Sequence, residues 1–180
     1  MDNEYHFIQR LTQSATKEAA YKELLSLYKE RLYWHIRHIV KSHDDADDIL
    51  QNTFIKVYKN IDNFKGDSKL FSWMYRIATN ESLTHLNKNA KHLKFSSEEL
   101  QHYTINNLKA DVYFEGEDIQ LKLQQAIAIL PEKQQLVFNM RYFQDIKYKD
   151  LSAILETSEG ALKASYHIAV KKIEAYLTQV

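Results

Sequence analysis

The chain has 180 residues, 44% of them apolar and 27% charged, which bounds it to one sizeable core or two small ones and excludes compositional disorder. It contains no cysteine, which excludes disulfide frameworks and thiolate metal sites; its 24 Lys plus Arg match 24 Asp plus Glu, so no net charge draws it to nucleic acid. With only 3 Gly and 1 Pro, and apolar positions recurring at helical spacing almost throughout, the expected fold class is all-α. No apolar run is long enough to cross a bilayer, and MDNEYHFIQR lacks the basic head and apolar core of a secretory signal. A cytoplasmic location without stable membrane insertion is therefore expected.

Two small helical domains are expected, over residues 1–90 and 119–180, because two runs of amphipathic helix flank the polar, weakly periodic segment 91–118. Charge is uneven: 13 basic and 12 acidic side chains in 1–90, 3 and 6 in 91–118, 8 and 6 in 119–180. Any nucleic-acid binding must come from local patches, and the acidic linker repels phosphate.

In chain order, the first helix with a legible face is DDADDILQNTFIKVYKN, starting near Asp44. A 3.6-residue wheel puts Ala46, Leu50, Thr53, Phe54, Val57 and Ile61 on a core side. Opposite lie Asp48, Gln51, Asn52, Ile55 and Lys59, with Asp47 at the edge. Hydrogen-bonding groups around one exposed isoleucine suit a protein contact. Asp44 and Asp45 read as first-turn carboxylates that cap N–H groups and complement the helix dipole. A metal site would need converging ligands; consecutive helical residues diverge, and His35, His38 and His43 upstream form only a common helical pattern. No metal, cofactor or catalytic centre is expected.

Next come the polar loop DNFKGDSK and the helix LFSWMYRIATNESLTHLNK. Lys69, Trp73, Arg76 and Asn80 share one stripe, with Ser72 at its flank. Aromatic, cationic and amide groups on one face can hold phosphates and offer a platform to a base. Packing of Trp73 into the core with Phe71, Met74 and Ile77 is the competing reading of the same pattern.

The run from LLSLYKERLYWHIRHIV through LFSWMYRIATNESLTHLNK resembles conserved region 2 of bacterial sigma factors of the extracytoplasmic-function class. The resemblance implies that Asp47, Asp48, Gln51, Asn52 and Ile55 dock on the clamp helices of the largest subunit of RNA polymerase core. It further implies that Phe64, Lys65, Gly66, Asp67, Ser68 and Lys69 form a loop that captures an extruded base of the promoter's minus-ten element. Ser72, Trp73, Arg76 and Asn80 would then belong to the face that melts promoter DNA.

The last elements carry a signal of their own. LPEKQQLVFNMRY opens with Pro131, tolerated in a first turn; KYKDLSAIL and SEGALKASYHIAVKKIEAYL are helical patterns separated by Glu156, Thr157 and Ser158. Two helices across so short a turn make a helix-turn-helix, with Ser158 able to cap the second. Its buried stripe is Leu162, Tyr166, Ala169, Ile173 and Leu177. Glu159, Gly160, Lys163, Ala164 and His167 are left outward at the start, where recognition helices read bases. Lys147, Lys149, Lys171 and Lys172 are placed to hold phosphate, while a plain three-helix bundle remains the alternative. This segment resembles region 4 of the same family, which implies minus-thirty-five recognition and contact with the polymerase flap. ASYHIAV is neutral apart from His167, where family members often carry arginines, so binding is expected to depend on polymerase holding the domain in place.

The functional expectation is a transcription initiation factor that binds RNA polymerase core, directs it to promoter DNA and opens that DNA. An anti-sigma factor is a further partner implied by the resemblance. The competing reading within transcription is an autonomous helix-turn-helix repressor; a reading from another class is an enzyme built on the aspartates and histidines.

Overall fold

A computed structural model of the chain describes residues 2–93 and 118–178. The bulk of the expected linker, residues 94–117, lies outside the described residues, as does most of its acidic run. Eight α-helices occur among the described residues: α1 (Asp2–Thr12), α2 (Lys17–Val40), α3 (His43–Asn60), α4 (Leu70–Leu93), α5 (Asp118–Ala128), α6 (Glu132–Tyr142), α7 (Tyr148–Leu155) and α8 (Glu159–Thr178). A 3-10 turn, Ile61–Asn63, follows α3 directly. The all-α expectation holds, and no strand occurs among the described residues.

Local chemistry sets the boundaries. α2 stops at Lys41, which takes a left-handed conformation (φ 59°) and donates its N–H to the Arg37 carbonyl. Ser42 then caps α3, its hydroxyl accepting the Asp45 N–H at 3.4 Å. The cap is thus Ser42; Asp44 and Asp45 sit in the first turn, where a carboxylate complements the dipole for about 0.3–1 kcal/mol. Ser158 caps α8 as its sequence position suggests, accepting the Ala161 N–H at 3.4 Å.

α2, α3 and α4 pack on one another with α1 laid across α2, around Leu11, Leu24, Leu32, Ile36, Val57 and Met74, all fully buried. The whole expected stripe of α3, Ala46 to Ile61, is buried. α5, α6 and α8 enclose a second, smaller cluster that includes Ile127, Leu130, Phe138, Ala169 and Ile173. The expected stripe of α8 is buried at Leu162, Ala169 and Ile173 and half-buried at Tyr166 and Leu177.

The two halves are not separate in packing. Val137, Met140, Ile146, Leu151, Ile154 and Leu162 of the second half belong to the same apolar cluster as the first bundle, because α6 meets α2 and α7 lies along α4. Polar groups from the end of α2 line this seam. His35 is hydrogen-bonded to Thr79 at 2.9 Å and to Gln144 at 3.3 Å. The His38 ring stacks on Phe143, and its Nδ1–H donates to the Trp34 carbonyl. Lys41 Nζ donates to Gln124 at 3.1 Å.

Burial suppresses the charge on all three. It pushes His35 down to about 3, with the His38 charge adding to the effect; it pushes His38 to about 4, with Lys41 second, and Lys41 to about 7, with Arg37 second. A histidine held neutral when folded binds a proton more readily once unfolded. Its contribution is therefore complete above about pH 6.5 and is lost as pH falls from there toward 4. Lys41 acts in the same sense between its ordinary value and about 7. In melting scans, the His38→Gln variant is expected to gain on the wild type by a few degrees between pH 7 and pH 5. A difference that stays constant across that range would overturn the assignment.

Candidate functional site

Three surfaces carry the candidate residues. On α3, Asp48, Gln51, Asn52 and Ile55 are exposed, with Ile55 at 50%. Asp47 is half-buried at the edge, 3.6 Å from the His43 ring nitrogen. These side chains project from a helix whose other face is core, so they form a rigid patch that no other described residue covers. Asp45 faces His85 of α4 at 3.1 Å, and Lys56 pairs with Glu81, so the ends of the patch are tied to the bundle.

The second surface is the loop 64–69 and the head of α4. Lys65, Gly66 and Asp67 are exposed, and Gly66 has φ +76°, a conformation that glycine adopts without strain. Phe64 packs against Trp73 with ring centroids 5.2 Å apart. Trp73 is half-buried against the core, as are Phe71 and Ile77. Asn80 is exposed, whereas Ser72 is buried and its hydroxyl has no hydrogen-bond partner.

The two cations of this stripe are partly exposed, and each is already paired with a carboxylate. Lys69 pairs with Asp150 of α7 at 2.9 Å, and Arg76 pairs with Glu156 of the α7–α8 turn at 2.9 Å. Glu156 reaches that place because it ends α7 in a left-handed conformation, φ 51°. Two carboxylates of the second half thus pair with the two cations that the sequence offers for phosphate, at the head of α4 and just before it. Neither contact was legible in the sequence, where Glu156 reads as a turn residue. The partners stand 81 and 80 residues apart, and no local pattern connects them.

The third surface is α8. Glu159, Gly160, Lys163, Ala164, His167 and Lys171 are exposed along its outer side, and Ser158 is exposed at its cap. Lys147 and Lys149 are exposed on α7 and just before it; Lys163 lies 5.6 Å over the Tyr148 ring, which joins the two helices' basic sides. α7 and α8 are separated by Glu156, Thr157 and Ser158, the short turn the sequence predicts.

Among the described residues no group of three His, Asp or Glu side chains is placed to hold a metal ion, and no helix is long and apolar enough to cross a membrane. His35 is engaged with Thr79 and Gln144, His38 with the Trp34 carbonyl and His43 with Tyr33.

The decisive comparison is with family models. Residues 24–92 match sigma-70 region 2, and residues 120–173 match sigma-70 region 4, in that order. The chain belongs to the sigma-70 family, in its extracytoplasmic-function class. It is similar to the RNA polymerase sigma-H factor of Pseudomonas aeruginosa, 25% identical with 88% of this chain and 86% of that protein covered. It is similar also to the ECF RNA polymerase sigma factor SigW of Bacillus subtilis, 29% identical with 82% and 83% covered, and to the sigma-E factor of Haemophilus influenzae, 26% identical with 93% and 91% covered. Among solved structures, CnrH in complex with the cytosolic domain of CnrY has a TM-score of 0.70 at 17% identity, covering 98% of this chain and 97% of that one. RpoE of Bartonella quintana in complex with the anti-sigma factor NepR has a TM-score of 0.66 at 20% identity, covering 87% and 96%. These likenesses show the fold. α2 to α4 make up region 2 and α5 to α8 region 4 of this sigma factor, a promoter-directing transcription initiation factor of a family that is not an enzyme family.

Proposed function

We propose that this sigma factor divides its work among the three surfaces. The α3 patch docks on the clamp helices of RNA polymerase core. Loop 64–69 with Trp73, Arg76 and Asn80 opens the minus-ten element and captures an extruded base. α8, with Lys147 and Lys149, reads the minus-thirty-five element beside the flap. The observation that supports this most directly is the contrast on the region 2 bundle. Its acidic and amide face is exposed, while the two cations of its aromatic face are paired with carboxylates of region 4. Polymerase can engage the chain as it stands; promoter DNA reaches α4 only after region 4 leaves it. A cytoplasmic site of action follows from the partner. An anti-sigma factor is a fitting second partner, since RpoE of Bartonella quintana was solved with the anti-sigma factor NepR and CnrH with the cytosolic domain of CnrY. The reading as an autonomous repressor is not favoured, because the chain carries sigma-70 region 2 followed by region 4 and resembles ECF sigma factors over most of its length.

Reconstitution tests the whole reading: core lacking any sigma subunit, mixed with this chain, is expected to start transcription at specific promoters. The division of labour has its own test. Trp73→Ala with Arg76→Ala is expected to impair promoter opening by about tenfold or more while leaving closed-complex formation nearly intact, because stacking matters only once bases leave the duplex. Lys163→Ala with His167→Ala is expected to weaken upstream recognition and spare melting. Permanganate footprinting separates the two steps, and identical defects in both pairs would sink the assignment.

A further inference from the structure

The loop 64–69 is held at both ends by residues that precede the segment matched as region 2, residues 24–92. At its far end, the Glu4 carboxylate of α1 accepts the N–H of Leu70, the first residue of α4, at 2.6 Å. The first N–H groups of a helix have no partner within it, and Lys69 just before has no side-chain acceptor, so a carboxylate from another element completes this terminus. At its near end, Lys17 Nζ pairs with Asp62 of the 3-10 turn at 2.7 Å and lies 5.0 Å over the Tyr58 ring. α1 is itself fixed: Leu11 is fully buried, Phe7 and Ile8 pack on the core, and the Thr16 hydroxyl donates to the Arg10 carbonyl at 2.8 Å.

α1 also borders a groove of about 470 Å³, with Tyr5 and Ile8 on one side and Gly66, Ser68 and Ser72 on the other. Tyr5 is 62% exposed, and its hydroxyl accepts from Gln9 at 3.0 Å. Ser72 also lines the groove, and its hydroxyl, buried with region 4 in place, has no hydrogen-bond partner. Lys149 and Asp150 of region 4 close the groove's third side in this form of the chain.

We propose that α1 is part of the strand-capturing site: Glu4 and Lys17 are positioning residues that hold loop 64–69 and the head of α4, while Tyr5 and Ser72 line the pocket that receives the unstacked base. Tyr5 offers its ring for stacking, and the Ser72 hydroxyl meets a polar edge of the base. This rests on the proposed role of loop 64–69 and extends it to a segment outside the family match.

The test uses holoenzyme reconstituted from polymerase core and the full chain, titrated with fluorescent fork-junction DNA. The non-template minus-ten strand is left single, with each of the four bases placed in turn at the captured position. Tyr5→Ala is expected to weaken binding about tenfold, as loss of one base–aromatic stack does, while Tyr5→Phe stays near wild type. Glu4→Ala is expected to weaken binding and flatten the preference among the four bases; Glu4→Gln, whose amide oxygen still accepts the Leu70 N–H, restores most of both. Affinity for core should not change in any of the four. A merely structural α1 would lower the melting temperature and leave base preference where it was. Capture by wild-type holoenzyme with unaltered affinity and base preference in Tyr5→Ala and Glu4→Ala overturns this inference alone. No capture by wild-type holoenzyme overturns the minus-ten reading and this inference with it.

Discussion

Asp48→Lys combined with Gln51→Ala is expected to abolish binding to RNA polymerase core, with a loss of at least about a hundredfold, and to leave helicity and thermal stability nearly unchanged. Both side chains are exposed on α3, and the residues that hold α3 in the bundle lie on the opposite face. Exposed substitutions away from caps and buried networks usually stay within about 0.5 kcal/mol, so the fold tolerates the pair. At a docked surface the balance differs, because placing a like charge opposite a partner's cation costs several kcal/mol, roughly. Ile55→Ala, which removes the apolar anchor of the patch, is expected to cost about tenfold by itself. Competition against a second sigma subunit for core measures both. Wild-type affinity in the double variant would show that α3 is not the docking element.

Asp150→Lys with Glu156→Lys is expected to open the chain and raise the affinity of free sigma factor for a single-stranded minus-ten oligonucleotide by at least about tenfold. A face closed nine-tenths of the time binds about tenfold below its intrinsic affinity. Neutralising the pairs would not suffice. Glu156 is largely exposed, so its pair with Arg76 contributes less than about 1 kcal/mol, and the apolar contacts of Leu151 and Ile154 remain. Reversal acts differently at Asp150, which is only 8% exposed: a lysine there is buried against Lys69 with no counter-charge. The chain has no native cysteine, so two introduced ones report the distance between regions by energy transfer without background. The expected result is a longer distance and tighter strand binding in the free variant, and no difference from wild type within holoenzyme, where the proposed docking on core would hold the regions apart. Unchanged strand affinity in a variant shown to be open would mean that region 4 does not guard α4.

The α3 patch was legible because helix periodicity is local: a residue's face follows from its neighbours three and four positions away, and every expected core position from Ala46 to Ile61 is buried. The α7–α8 turn was legible for the same reason, since its three polar residues interrupt two apolar stripes and its Ser158 supplies the cap. Ser42 as the cap of α3 was within reach too, standing directly before the first helical residue, but the four aspartates nearby carry the stronger charge signal. Ser72 shows the limit of a wheel. At the flank of the cationic stripe it reads as a surface contact, yet it is buried, because the ends of α1 and α7 close over that flank.

Composition and periodicity by themselves determined an all-α chain with its buried stripes, its helix-turn-helix and its exposed acidic face, because these depend on contacts within a few residues. Sequence order also determined the resemblance to regions 2 and 4. Tertiary structure alone decided what covers what. Glu4 meets the head of α4 from 66 residues away, Lys69 and Arg76 are taken by carboxylates about 80 residues downstream, and burial in the seam between the regions disfavours the charged forms of His35 and Lys41. Pairing at such separations is set by how whole helices pack, and helix packing is driven by apolar surface that carries no address. A polar side chain on a surface stripe is therefore free to bind a partner or already bound within the chain, and only the packed fold distinguishes the two.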